Sequence, residues 1–131
     1  MDKSPVGSMR TPLGRVRGLG SAKSGTHHWW MQRVTSLALL PLTLWFVFAV
    51  ISLAGASFAQ TRVFIANPVN SVLMLALIGL TFHHINAGLQ VVIEDYVRAE
   101  RARMGILLLI KGGCWMAALI CAFALLRVAF T

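Results

Sequence analysis

Acidic side chains are nearly missing from this chain: four Asp and Glu stand against twelve Lys and Arg in 131 residues. Only 12% of the residues are charged while 57% are hydrophobic, and the mean hydropathy is +0.74. A soluble domain of this size cannot hide so much apolar surface, so the bilayer must act as solvent. Strict alternation of apolar and polar residues is also absent, which excludes a membrane β-barrel. Cysteine is limited to Cys114 and Cys121, and no CxxCH occurs, so covalent attachment of a c-type haem is excluded. Those cysteines are seven residues apart, two turns along one helix and too distant for a disulfide. They read as small packing residues. Without a visible internal repeat, a transporter built from inverted halves has no support.

Three apolar stretches remain, at about 34–59, 69–93 and 104–130, and each exceeds the roughly 20 residues a helix needs to cross. The expected fold is therefore an all-α membrane protein with three transmembrane helices, spanning residues 26–131. Residues 1–25 are rich in Gly, Ser, Pro and basic residues and read as an extended arm. The arm has no apolar segment of the secretory type. It is Arg-rich, as transit peptides are, yet the expectation is a bacterial chain whose arm lies along a cytoplasmic partner or the lipid headgroups. Pro41 is expected to interrupt the first span, and Pro68 to open the second at a favourable first-turn position.

The placement of charge sets an orientation. Lys3, Arg10, Arg15, Arg17, Lys23 and Arg33 precede or open the first span, and Arg98, Arg101 and Arg103 fill the second loop; the first loop, near 61–68, has only Arg62. Lys and Arg gather on the cytoplasmic side, so the N-terminus and second loop are expected inside and the C-terminus in the periplasm. Trp29 and Trp30 suit the inner headgroup level. Lys111 and Arg127 read as snorkelling anchors. Beside three spans, the basic excess reports orientation rather than nucleic acid.

The run from His83 to Tyr96 carries the chemistry. Histidine inside a span is costly and so usually has a task. His84, Gly88, Val91 and Asp95 recur at i, i+4, i+7 and i+11, a single stripe. His84 and Asp95 are separated by roughly 16 Å along the axis, about half of a ~30 Å hydrocarbon layer. One polar site thus lies near the midplane and a second at the inner surface. A glycine one turn beyond a histidine lets a flat macrocycle approach the backbone, and imidazole is a standard haem ligand. The competing reading is a histidine hydrogen-bonded to a neighbouring helix, which also suits His83 and Asn86. His83 and His84 point about 100° apart and cannot both bind one iron. His27 and His28 lie before the first span, so any second axial ligand must come from another polypeptide.

Glu94, Asp95 and Tyr96 close the second helix, where acidic groups face the unfavourable end of the dipole. Arg33, at the same depth on the first helix, is the expected cation. A phenol, a carboxylate and a guanidinium around a headgroup-level pocket suit a quinone carbonyl and its protons.

With Trp30-Met31-Gln32-Arg33-Val34-Thr35 opening the first span and His84-x3-Gly88-x6-Asp95-Tyr96 closing the second, the chain resembles the D-type membrane-anchor subunits of succinate dehydrogenase, respiratory complex II. The likeness runs from about His28 to the C-terminus and is strongest to the alphaproteobacterial and mitochondrial type. It implies a non-catalytic, multi-pass subunit of the bacterial inner membrane, paired with a second cytochrome b-type anchor. Each anchor supplies one axial histidine to a shared haem b, here His84. It also implies that Tyr96 hydrogen-bonds ubiquinone with Asp95 beside it, and that Arg33 lies near the quinone pocket and haem propionates. An iron–sulfur subunit and a flavoprotein carrying FAD would dock on the cytoplasmic face. His83, a second histidine, departs from the pattern. Two alternatives stay open: the anchor of a quinol:fumarate reductase, and a structural or assembly protein whose polar residues only join helices.

Overall fold

The computed structural model describes residues 11–13 and 25–131. The arm expected over 1–25 therefore falls, apart from 11–13 and Gly25, outside the described residues. Four helices follow: α1 over Gly25–Ser52, α2 over Phe58–Ala66, α3 over Pro68–Tyr96 and α4 over Glu100–Phe130. The first, third and fourth are long and apolar enough to cross a membrane.

Local chemistry explains the ends. Asn67 caps α3, its side chain accepting from the Val69 amide at 3.0 Å, and Pro68 occupies the first turn where its missing N–H costs nothing. In α4, Glu100 and Arg127 sit at the ends of the dipole that favour their charges. The α3–α4 connection is only three residues, Val97 to Ala99, shorter than the expected 94–103 loop, because both helices extend past the apolar windows. Lys111 consequently lies eleven residues inside α4 rather than near its start.

The first span and first loop differ from expectation. α1 ends at Ser52 instead of continuing to 59, and the residues read as a loop form α2. A reciprocal capping box explains this: the Gln60 amide donates to Ser57 Oγ at 3.4 Å, and the Ser57 amide donates to Gln60 Oε1 at 2.8 Å. Gly55, at φ +79°, supplies the left-handed turn between the two helices. Trp45 stacks with Phe64 at 6.5 Å between ring centroids, tying α2 back to α1. Asn70 Nδ2 also donates to the Phe64 carbonyl at 2.9 Å. Pro41 does not break α1, which runs helical through it; membrane helices tolerate such prolines.

α3 is the central element. It packs against α1 on one side and α4 on the other, while α1 and α4 do not touch. Among the described residues only Thr35, Ala49, Ala87, Ile93 and Leu125 are buried. Large apolar side chains such as Leu44, Phe48, Leu109, Ile120 and Phe123 remain exposed. An apolar exterior with almost no core is the pattern of helices whose solvent is lipid or other subunits.

Replacing Gly55 by Ala meets no steric obstacle, since nothing lies within 4 Å of the added Cβ, but it places a side chain at positive φ. Gly55→Ala is expected to lower stability by about 1 kcal/mol, read as an earlier unfolding midpoint in detergent; an unchanged midpoint would contradict the left-handed turn.

Candidate functional site

His84 is residue seventeen of the 29 in α3, roughly 24 Å from one end and 18 Å from the other. Near that midpoint α3 meets α1 through polar groups. Thr35, only 2% exposed, places Oγ1 3.1 Å from His84 Nδ1, 2.8 Å from the Met31 carbonyl and 3.0 Å from the Gln32 carbonyl. One turn further along, a Cβ on Gly88 would meet Gln32 Nε2 at 3.8 Å, an ordinary contact. The stripe of His84 and Gly88 therefore faces α1, with Ala87 buried beside it.

Each of the two readings of His84 finds a ring nitrogen. Nδ1 is hydrogen-bonded to a neighbouring helix, while Nε2 has no hydrogen-bond partner among the described residues. His84 itself is half-buried and His83 exposed. Gly88 is not required by the packing of α1 on α3, because a methyl group would fit there.

His83 belongs to another face. With Asn86, Gln90 and Glu94 it recurs at i, i+3, i+7 and i+11, and these four line an open groove of about 620 Å³ that also takes in His27 and His28. A smaller cavity of about 100 Å³ lies between α3 and α4, where His83 and Asn86 meet Cys114 and Trp115. His84 lines neither cavity. Sequence reasoning treated His83 and Asn86 singly and missed this polar stripe, although its helical spacing was present. It also missed Thr35 as the partner of His84.

At the end of α3, Asp95 is exposed and Tyr96 is 82% exposed. Glu94 accepts a hydrogen bond from Gln90 Nε2 at 2.8 Å. The ion pair expected between Arg33 and these acids is not formed among the described residues. The Arg33 guanidinium instead lies 4.9 Å from the Trp29 ring centroid on its own helix, a cation–π contact. Rotation about α1 explains the correction. Gln32 and Thr35 occupy the face toward α3, and Arg33 points about 100° away from Gln32. Trp29 and Trp30 are stacked, at 6.1 Å between centroids, and both are exposed. Among the described residues no three His, Cys, Asp or Glu side chains cluster to hold a bare metal ion.

Three apolar helices with a polar contact at mid-span define a multi-pass membrane protein. The family model described as "Succinate dehydrogenase/Fumarate reductase transmembrane subunit" matches residues 7–125. The chain belongs to that family. It is 33% identical over 92 residues to the succinate dehydrogenase membrane anchor subunit of Reclinomonas americana, covering 68% of this chain and 77% of that protein. The succinate dehydrogenase hydrophobic membrane anchor subunit of Rickettsia bellii (strain RML369-C) is 29% identical over 102 residues, 78% of this chain and 82% of the relative. That of Paracoccus denitrificans is 28% identical over 118 residues, 90% and 91% respectively.

Because the added methyl meets nothing closer than 3.8 Å, Gly88→Ala is expected to leave the packing of α1 on α3 intact. Membrane accumulation and thermal stability within about 0.5 kcal/mol of the parent would agree; marked destabilisation would show that the glycine is needed within this chain.

Proposed function

We propose that this chain is the membrane anchor of a succinate:ubiquinone oxidoreductase, sharing a haem b with a second anchor subunit and forming part of the ubiquinone-reduction site. The observation that carries this reading is His84, with one ring nitrogen held by Thr35 and the other without a hydrogen-bond partner among the described residues, near the middle of a long apolar helix. The names of the relatives support the complex. The donor chemistry fits a haem: nothing among the described residues hydrogen-bonds His84 Nε2, which leaves an imidazole nitrogen for iron. A haem held there supplies a one-electron couple within the bilayer.

This chain's own residues bind and orient. His84 would hold the haem iron from this chain, and the partner anchor would supply the other protein ligand. Tyr96, exposed at the end of α3, would donate a hydrogen bond to a quinone carbonyl. Succinate yields two electrons and two protons and ubiquinone takes up two of each, so proton delivery is needed at this end; Asp95, exposed beside Tyr96, suits it. Arg33, held over Trp29, would lie at the same level as a cation for the quinone pocket or a haem propionate.

Orientation follows the basic residues: the N-terminus and the Arg98, Arg101, Arg103 segment would face the cytoplasm of a bacterial inner membrane, with the C-terminus in the periplasm. The iron–sulfur subunit and the FAD-bearing flavoprotein would dock on that inner face, beside Tyr96. The same anchor would serve a quinol:fumarate reductase, since direction depends on potentials in the other subunits; the relatives named above are membrane anchor subunits of succinate dehydrogenase.

In the purified complex, His84→Ala is expected to abolish a b-type absorption band, and an unchanged band would exclude His84 as ligand. Tyr96→Phe is expected to lower quinone reduction about tenfold, the worth of one hydrogen bond of about 1.4 kcal/mol. Succinate oxidation with an artificial acceptor should hold. Equal loss of both activities would remove Tyr96 from the quinone site. A complex without chromophore or response to quinone-site inhibitors would favour a purely structural anchor.

A further inference from the structure

Among the described residues Thr35 is the only buried polar one, and the haem and quinone roles proposed for the chain leave its hydroxyl unused. Its Oγ1 touches three polar atoms: the Met31 carbonyl at 2.8 Å, the Gln32 carbonyl at 3.0 Å and His84 Nδ1 at 3.1 Å. A hydroxyl has one hydrogen, and carbonyl oxygens only accept. If that hydrogen pointed at Nδ1, Oγ1 would face two carbonyl oxygens at 2.8 and 3.0 Å with no proton between them. Such contacts are repulsive, and at 2% exposure almost no solvent reaches the site to relieve them. With the hydrogen directed at the carbonyls, an Oγ1 lone pair is left facing Nδ1. Nδ1 must then be the donor.

From these contacts we infer that Thr35 is a positioning residue for His84: it holds the imidazole as the Nδ1–H tautomer and so makes Nε2 the nitrogen that meets iron. The choice of nitrogen is set by the hydrogen bond the other nitrogen makes, as in other metal-ligating histidines. Thr35 is itself fixed by the first turns of α1, since its two carbonyl acceptors belong to Met31 and Gln32. The ring is thereby oriented by a rigid helix rather than by a loop. Only the identity of what Nε2 binds rests on the haem reading; the tautomer follows from contacts within this chain.

The test compares Thr35→Val, which keeps the shape and removes the hydroxyl, with Thr35→Ser, which keeps the hydroxyl, in complexes purified at equal subunit stoichiometry. Thr35→Val is expected to weaken haem retention about 10- to 100-fold, the usual effect of losing such a partner. Its haem midpoint potential should also rise, because an imidazole without its N–H···O bond donates less electron density. Thr35→Ser should restore both. Retention and potential equal to the parent in Thr35→Val would overturn the role of Thr35 while leaving His84 as ligand untouched. An unaltered haem spectrum in a His84→Gln complex would instead sink the haem reading alone.

Should Thr35→Val fail to assemble, nitrogen-15 histidine NMR on the parent complex depleted of haem decides the matter. The His84 signal is identified by its loss in His84→Gln. A protonated Nδ1 with a bare Nε2 agrees, and a protonated Nε2 overturns the inference.

Discussion

A single hydrogen bond across the α1–α3 interface, from His84 on one helix to Thr35 on the other, organises this small protein. In a hydrocarbon layer a bare imidazole N–H finds no water, and Thr35 Oγ1, its own hydrogen given to the carbonyls of α1, supplies the acceptor. The contact fixes the rotation of α3 about its own axis. Once His84 and Gly88 face α1, the stripe of His83, Asn86, Gln90 and Glu94 opens into the groove that runs alongside the α1–α3 seam. The His84–Thr35 contact, the polar groove and the exposed Asp95–Tyr96 end are thus set by one register.

Packing of α3 against α4 is more extensive than that against α1, yet it too buries few side chains. Five buried residues among those described are a thin core, and α1 and α4 are joined only indirectly, through α3 and the short α2. The apolar surfaces of all three long helices are left for lipid and for neighbouring subunits, which suits a member of a family of transmembrane subunits. Stability in such a chain belongs to its surroundings as much as to its own contacts. That is why a polar contact at mid-span matters more here than one more buried leucine would.

The three spans were legible because a continuous apolar run longer than a soluble helix has one physical interpretation. His84 was legible for a related reason: a polar ring in an apolar helix demands a partner. The short α2 has a local signal in the capping box of Ser57 and Gln60, but it straddles the end of the expected first span and the expected loop, where apolar length alone places no helix boundary. The expected Arg33 pairing with the acids failed because depth along a helix was matched without its rotation. Arg33 and Gln32 share a level but differ by about 100°, and only Gln32 faces α3. Thr35 had no signal of its own in the sequence, since threonine is unremarkable inside a span until its neighbour across the interface is known.

The most direct measurement is a density map of the intact complex in lipid, at a resolution where imidazole orientation is visible. Residue 84 should then stand with Nδ1 against the Thr35 hydroxyl and Nε2 toward the iron of a haem. A His84 side chain turned toward lipid, or an iron ligated in its place by His83, would contradict the assignment of this helix face.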